Sequence, residues 1–504
     1  MFARAMKNKT STTWNGALSY STPDENGISD GRLSLFFKTV RGIQDEHLKE
    51  YLFKSSKEDL IDTFVLSFNT RDCRGGKGER VIGRRMFQYL YENHINEFAK
   101  IFNLIPDYGR WDDLLCFFPN ATDAEDIEHK KVQKDIVTFF CNQLKKDKYL
   151  MLNGEPISIC AKWAPSEGDS DDRKYKLVNT ICTNMDITPK QYRTEYLTPL
   201  RAYLEIIETK ICKNEWSEIN FSKVPSCAML KLKKAFQKHV PFNFREWKDG
   251  LKNGTTKVNA KVLFPHEIVK QLRINGQSDD VLDAQWKVIE DEVEKLGFLE
   301  DCVVVVDTSS SMESPNFLPL DIAVSMGLLI SNTVKGPFHN NVITFNSEPE
   351  FVEIKDGKLE SRFRQIRNIP WGGSTDIQKT FDMILEKGKE AGLKNEDMPK
   401  KLFIISDMQF NQVEGYGVEK TNFDEIEKKY KLSKYTRPEI VFWNVNGLPT
   451  DFPVTTDKNG TCLISGASPS ILKSIIKTKE LNSYSILRET LDDKRYQQIR
   501  NILS

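Results

Sequence analysis

The sequence predicts a multidomain chain: an all-α helical solenoid followed by an α/β doubly wound unit with a mostly parallel sheet. Three observations predict it. From about Leu33 to about Asn275, apolar residues recur at three- and four-residue spacing, the period of an amphipathic helix. From about Gly297 the texture changes to short β-branched runs alternating with helical stretches, the pattern of βαβ units. The charge reverses near the same point. Phe221 to Arg273 holds twelve Lys and Arg against Glu246, Asp249 and Glu267, a net of +9, whereas Gln277 to Asp301 holds nine acids against Lys287 and Lys295, a net of −7.

The elements follow in order. Residues 1–30, rich in Ser, Thr, Asn and Gly, read as an extended lead-in. Residues 31–296 read as α-helical repeats: "LKEYLFKSSKEDLIDTFVLSF" and "RVIGRRMFQYLYENHINEFAKIF" carry the helical period, and breaks such as "IPDYGRWDD" separate the helices. Short connectors between antiparallel helices suit stacking as a solenoid, although no fixed repeat length is visible. Residues 297–504 read as the α/β part. "CVVVVDT", "NNVITFNS", "KLFIISDM" and "EIVFWNVN" are strand-like, and "LPLDIAVSMGLLISNTV" and "DIQKTFDMILEKGKEAG" are helical. Such sheets bind ligands at the carboxyl ends of their strands, where Asp307 and Asp407 fall.

Composition narrows the function classes. The chain has 504 residues, 39% hydrophobic and 29% charged, and no stretch suited to crossing a membrane. The N-terminus lacks the apolar core of a secretory signal, so a cytoplasmic protein is expected. Nine cysteines are scattered without a Cys-x-x-Cys pair, and six histidines form no HExxH, which argues against zinc chemistry. Lys+Arg and Asp+Glu balance at 72 each, so any nucleic-acid signature is local.

The candidate chemistry lies after the four valines. Asp307, Ser309 and Ser311 make D-x-S-x-S at a strand end, "WGGSTD" puts Thr375 in a glycine-rich loop before a helix, and "FIISDMQF" puts Asp407 at a second strand end. Two carboxylates and three hydroxyls are hard oxygen donors, suited to Mg²⁺ or Mn²⁺. A Ser- and Thr-rich helix cap is the plain alternative for the first string. A phosphotransferase would want a second carboxylate where Ser309 stands, and a hydrolase would want a general base that neither motif supplies.

These residues, in this order, resemble the metal-ion-dependent adhesion site of von Willebrand factor A domains. The resemblance implies that Asp307, Ser309, Ser311, Thr375 and Asp407 hold a metal, directly or through water, whose coordination a partner carboxylate completes. A helical half before such a domain resembles the Ro autoantigen and its TROVE module, in which HEAT-like helical repeats form a ring that grips RNA. The phrases "RDCRGGKGERVIGRRMFQYL", "PDYGRWDDLL" and "FPHEIV" look closer still to an uncharacterised Ro-like family of plants, fungi and giant viruses. A giant-virus origin would extend the expected location to the virion.

For RNA the candidates are Lys231, Lys233, Lys234, Lys238, Arg245 and Lys248, followed by Lys252, Lys257 and Lys261 and interleaved with Phe236, Phe242, Phe244 and Trp247. Cations track phosphates and aromatic faces stack unpaired bases. Equally, aromatics at these spacings fill helical cores. "RGGKGE" lacks the phosphate-loop pattern and reads as a turn with exposed basic residues; in "GRWDDLL", Arg110 and Trp111 read as a structural pin between helix pairs. The expectation is a non-enzymatic, RNA-binding protein, bound to single-stranded ends or structured noncoding RNA, with a Mg²⁺ site for an acidic partner. A protein-interaction scaffold without RNA is the alternative.

Overall fold

The computed structural model describes residues 10–12, 18–20, 30–119, 126–260, 262–297, 299–345, 349–368, 376–410, 422–447, 460–478 and 481–504. The chain forms two compact units. One comprises Met1–Leu66, Gly75–Glu79 and Asn259–Tyr496; the other comprises Ser67–Arg74, Arg80–Val258 and Gln497–Ser504.

The first unit is built on a six-stranded sheet. Its strands are β1 (Cys302–Asp307), β2 (Asn341–Phe345), β3 (Phe351–Glu353), β4 (Lys401–Ser406), β5 (Glu439–Asn444) and β6 (Thr461–Ser465). They lie in the order β3-β2-β1-β4-β5-β6, parallel throughout except where β3 runs antiparallel to β2. The order reverses between β1 and β4, which makes their carboxyl ends the topological switch point. All six residues of β1 are buried, because helices cover both faces of a parallel sheet and no alternation is needed. Val303 and Val305 join Ile404, Phe381 and Phe442 in one core layer. On β1 the helix Leu318–Thr333 packs so closely that a Cβ on Gly327 would lie 2.5 Å from Val306 Cγ2. Gly327→Ala is therefore expected to destabilise this unit by about 1–3 kcal/mol, read as a lowered melting temperature with the binding chemistry intact.

The four strands read from the sequence are present, and β3 and β6 join them. The acidic stretch is the helix Asp280–Glu294, and it lies inside the sheet-containing unit. Its Glu290, buried, accepts from Arg362 Nη1 at 2.7 Å and from Trp286 Nε1 at 2.8 Å. The helix Pro265–Asn275 is tied to Leu318–Thr333 by a two-pronged Arg273–Asp321 pair at 2.8 and 2.9 Å. The first residues of the stretch read as helical repeats belong here too: the helix Gly31–Lys38 packs against β6.

The second unit is helical. It includes Arg80–Asn93, Ile95–Ile101, Ile127–Leu152, Leu177–Met185, Ser226–His239, Pro241–Lys252 and the C-terminal Gln497–Leu503. Its core is aromatic. Phe68 meets Phe87 and Tyr108 edge-on, and Trp111 stacks on Phe139 with centroids 5.4 Å apart. Gly109 leaves the space that Asp113 occupies: a Cβ there would stand 2.4 Å from the Asp113 carboxylate, which accepts from Arg71. No helix among the described residues is long and apolar enough to cross a membrane.

Candidate metal centre and candidate RNA face

β1 delivers Asp307 to the switch point with no exposure to solvent. Ser309 N donates to Asp307 Oδ1 at 2.9 Å, and Ser406 Oγ donates to Asp307 Oδ2 at 2.5 Å. The Ser309 and Ser311 hydroxyls are 3.0 Å apart, on the turn that opens the short 3₁₀ segment Ser310–Glu313. Asp407 follows β4 directly. Met408 adopts φ +66°, which turns the chain so that Met408 N donates to Ser406 Oγ at 3.0 Å and Gln409 N donates to Asp407 Oδ1 at 3.2 Å. A buried methionine in the left-handed region is a conformation that needs support from its surroundings.

The two carboxylates are buried close enough to repel, with no cationic partner among the described residues. Burial raises Asp307 above the usual carboxylate range, the Asp407 charge raises it further, and the Ser406 and Ser309 hydrogen bonds pull it back. Burial also raises Asp407, against which the Ser311 hydroxyl and neighbouring backbone N–H groups act. Asp407 Oδ2 and Thr308 Oγ1 are buried without a hydrogen-bond partner among the described residues. Uncompensated acids beside an orphaned oxygen fit a cation, and the donors are all hard oxygens. No cluster of three or more His, Cys, Asp or Glu suited to a metal occurs among the described residues, so the set relies on hydroxyls beside its two carboxylates.

The structure brings together Asp307, Ser309, Ser311 and Asp407. Thr375 lies outside the described residues; the helix Ile377–Glu390 begins just after it, capped by Asp376, which accepts from Lys379 N at 3.0 Å. Sequence reasoning missed Ser406, whose hydroxyl links the two strand ends. A serine directly before the strand-end aspartate was the available signal. It also missed Asn446, whose Nδ2 donates to Ser314 O at 3.3 Å and steadies the loop after the serines.

The lysine segment forms the helices Ser226–His239 and Pro241–Lys252. Lys231, Lys234, Lys238 and Arg245 are exposed, and Lys248 is half-buried with Nζ 5.7 Å from the Phe244 ring. Lys233 corrects the expectation: it is buried, because it shares the inward stripe of Ser226, Met229 and Phe236 at three- and four-residue spacing. Phe236, Phe244 and Trp247 are core residues packed around Phe221, so they offer no stacking face. Phe242 stays 79% exposed, and His239 stacks on Trp216 with centroids 4.1 Å apart. Lys261 lies outside the described residues.

The "RGGKGE" turn also differs from its reading. Lys77 is buried rather than exposed: Nζ donates to Phe36 O, to Thr39 O at 3.2 Å and to Ser465 Oγ at 2.8 Å. It thereby satisfies carbonyls left over at the end of the helix Gly31–Lys38.

Residues 301–501 match a family described as a domain of unknown function (DUF7788), and residues 120–299 match a second, also described as a domain of unknown function (DUF2828). The chain is 32% identical over 514 residues to the uncharacterized protein L728 of Acanthamoeba polyphaga mimivirus, covering 96% of this chain and 87% of that one. Among solved structures it is similar to the Ro (RSR) protein of Deinococcus radiodurans, at 10% identity and a TM-score of 0.39, over 92% of this chain and 99% of that chain.

Proposed function

Because the chain belongs to the family of mimivirus protein L728, itself uncharacterized, we propose from its own residues that it is a non-enzymatic RNA-binding protein with a Mg²⁺-dependent site for a partner carboxylate. The observation that carries the second half is the buried Asp307 and Asp407 pair with an orphaned Asp407 oxygen at the switch point. Asp307, Ser309, Ser311 and Asp407, with Thr375 as expected, would hold Mg²⁺ or Mn²⁺. A bound divalent ion supplies positive charge that an incoming carboxylate can reach by displacing water. The chain's own part is to fix the donors: Ser406 and the Ser309 backbone orient Asp307, and the Met408 turn orients Asp407. This reading makes the α/β part a von Willebrand factor A-type domain and the helical part a HEAT-like, TROVE-type module.

The RNA half rests on Lys231, Lys234, Lys238 and Arg245, exposed and without ion-pair partners among the described residues, beside exposed Phe242. Flexible cations at helical spacing suit a phosphate backbone, and one free ring suits an unpaired base. The scaffold reading keeps one observation in its favour: Lys233 and three of the four aromatics face inward, which shrinks the basic face.

A labelled structured RNA with a single-stranded 3′ tail, titrated at two salt concentrations, tests the RNA half. Binding is expected to weaken steeply with salt, and charge reversal at Lys231, Lys234, Lys238 and Arg245 together is expected to abolish it. Equal binding by the reversed variant, or none by the wild type, moves the helical unit to the scaffold reading. The cation half predicts a higher melting temperature on adding Mg²⁺.

A further inference from the structure

In the helical unit, the helix Arg80–Asn93 follows Glu79 directly and opens on a run of arginines. Its first turn holds no acidic residue and begins with Arg80, and Arg84 and Arg85 follow one turn on, although a helix N-terminus is already positive. Three guanidiniums converge on one oxygen there. Asp112 Oδ2 lies 2.9 Å from Arg80 Nη2, 3.0 Å from Arg84 Nη2 and 2.5 Å from Arg110 Nη2. Beside it Arg71 holds Asp113 Oδ2 at 2.7 Å through both Nε and Nη2, and Arg84 Nε reaches Asp113 Oδ1 at 2.6 Å. Four guanidiniums thus share two carboxylates.

The two halves of this cluster differ in exposure. The side chains of Arg71 and Asp113 are 3% and 0% exposed and form a fixed frame. Arg80, Arg84 and Arg110 keep 48%, 26% and 25% of their side-chain surface. The Arg110 guanidinium lies 3.7 Å over the Trp163 ring, and Lys162 Nζ stands 5.5 Å from the same ring. A staple between helices needs matched charges, and one carboxylate already satisfied by Arg110 gains little from two more cations. Burial and the Arg84 and Arg110 charges hold the Arg80 guanidinium below its ordinary value, whereas, against burial, Asp113 and Asp112 hold Arg84 above its own, so the unrelieved repulsion falls on Arg80. An added anion would relieve it, and planar guanidiniums match phosphate oxygens two at a time.

We propose that Arg80, Arg84 and Arg110 form a phosphate-binding site on the helical unit, and that it takes a phosphate group of the RNA strand. The site itself stands on this charge balance; its assignment to RNA rests on the RNA reading above.

The full-length protein is titrated calorimetrically at low salt with inorganic pyrophosphate, and with oligouridine bearing either a 5′-phosphate or a 5′-hydroxyl. Pyrophosphate is expected to bind the wild type. Arg80→Gln, which removes one exposed cation with one pairing contact, is expected to weaken it by about tenfold. Asp112→Asn is expected to strengthen it, because the competing carboxylate loses its charge; a purely structural cluster would only lose stability. A preference for the 5′-phosphate marks a strand terminus as the ligand, and equal binding of both oligomers marks a backbone phosphodiester. No pyrophosphate binding by the wild type, or unchanged affinity in well-folded Arg80→Gln, overturns the site. RNA bound through the lysine face without pyrophosphate binding would sink this inference alone. Pyrophosphate bound without any RNA would keep the anion site and remove its RNA ligand.

Discussion

In cation-free buffer, Asp407→Asn is expected to raise the melting temperature, and in Mg²⁺ the order of wild type and variant is expected to reverse. Two buried carboxylates without a cationic partner cost stability, and neutralising one recovers on the order of 1–3 kcal/mol, a few degrees for a unit of this size. The same change takes away a charged ligand, so stabilisation by Mg²⁺ should shrink or vanish. The pH dependence has a definite sign. Both carboxyls are raised in the folded state by burial, so the folded chain holds protons that the unfolded chain has released. Below the ordinary carboxylate pKa, near about 4, both states are protonated and the pair costs nothing. As pH rises past that value the unfolded chain ionises first, and cation-free stability falls until the folded carboxyls ionise too. The gain from Asp407→Asn should therefore be larger at pH 8 than at pH 5, and Mg²⁺ should stabilise the wild type more at pH 8. Thermal melts at both pH values, with Mg²⁺ and with chelator, check all of this. A variant less stable than wild type in chelator would show that the pair is not strained.

Lys77→Ala is expected to destabilise the sheet-containing unit by about 3 kcal/mol or more. It opens a cavity and leaves the Thr39 carbonyl without its donor, while the Phe36 carbonyl keeps only Ser465 Oγ at 2.9 Å. Lys77→Met keeps the volume and should cost less. Burial pushes the Lys77 ammonium down to about 7, opposed by the Glu79 charge. Between that value and the ordinary lysine pKa, about 10.4, the unfolded chain binds the proton that the folded chain has lost. Stability from this group is thus fully present above the upper value and is lost as pH falls toward the lower one. Denaturant unfolding at pH 7 and pH 9 should show the wild type gaining stability with pH and Lys77→Met lacking that share of the gain. A variant with the full wild-type slope would place the titration elsewhere.

How much was legible varied with burial. β1, β2, β4 and β5 were readable because strands covered on both faces need unbroken β-branched or apolar runs. β3 has three residues, mostly exposed, and "TCLIS" is short and opens on a threonine, so neither stood out from loop. Asp307, Ser309, Ser311 and Asp407 were legible because each sits at or just past the end of such a run. Lys233 was misassigned by counting charge: its spacing from Met229 and Phe236 already marked the inner face.

By itself the sequence determined the change from helical to α/β texture near residue 297, four of the six strands of the central sheet and the oxygen donors Asp307, Ser309, Ser311 and Asp407 at their ends. Those depend on local periodicity and on where a run of apolar residues stops. Only the tertiary structure decided that β1 and β4 are neighbours across the reversal of strand order, so that Ser406 donates to Asp307 from 99 positions away. It also decided that Lys77 caps a helix and that Asp112 collects three arginines. Those contacts join residues far apart in the chain, and their charge balance depends on distance in space, which no spacing along the sequence encodes.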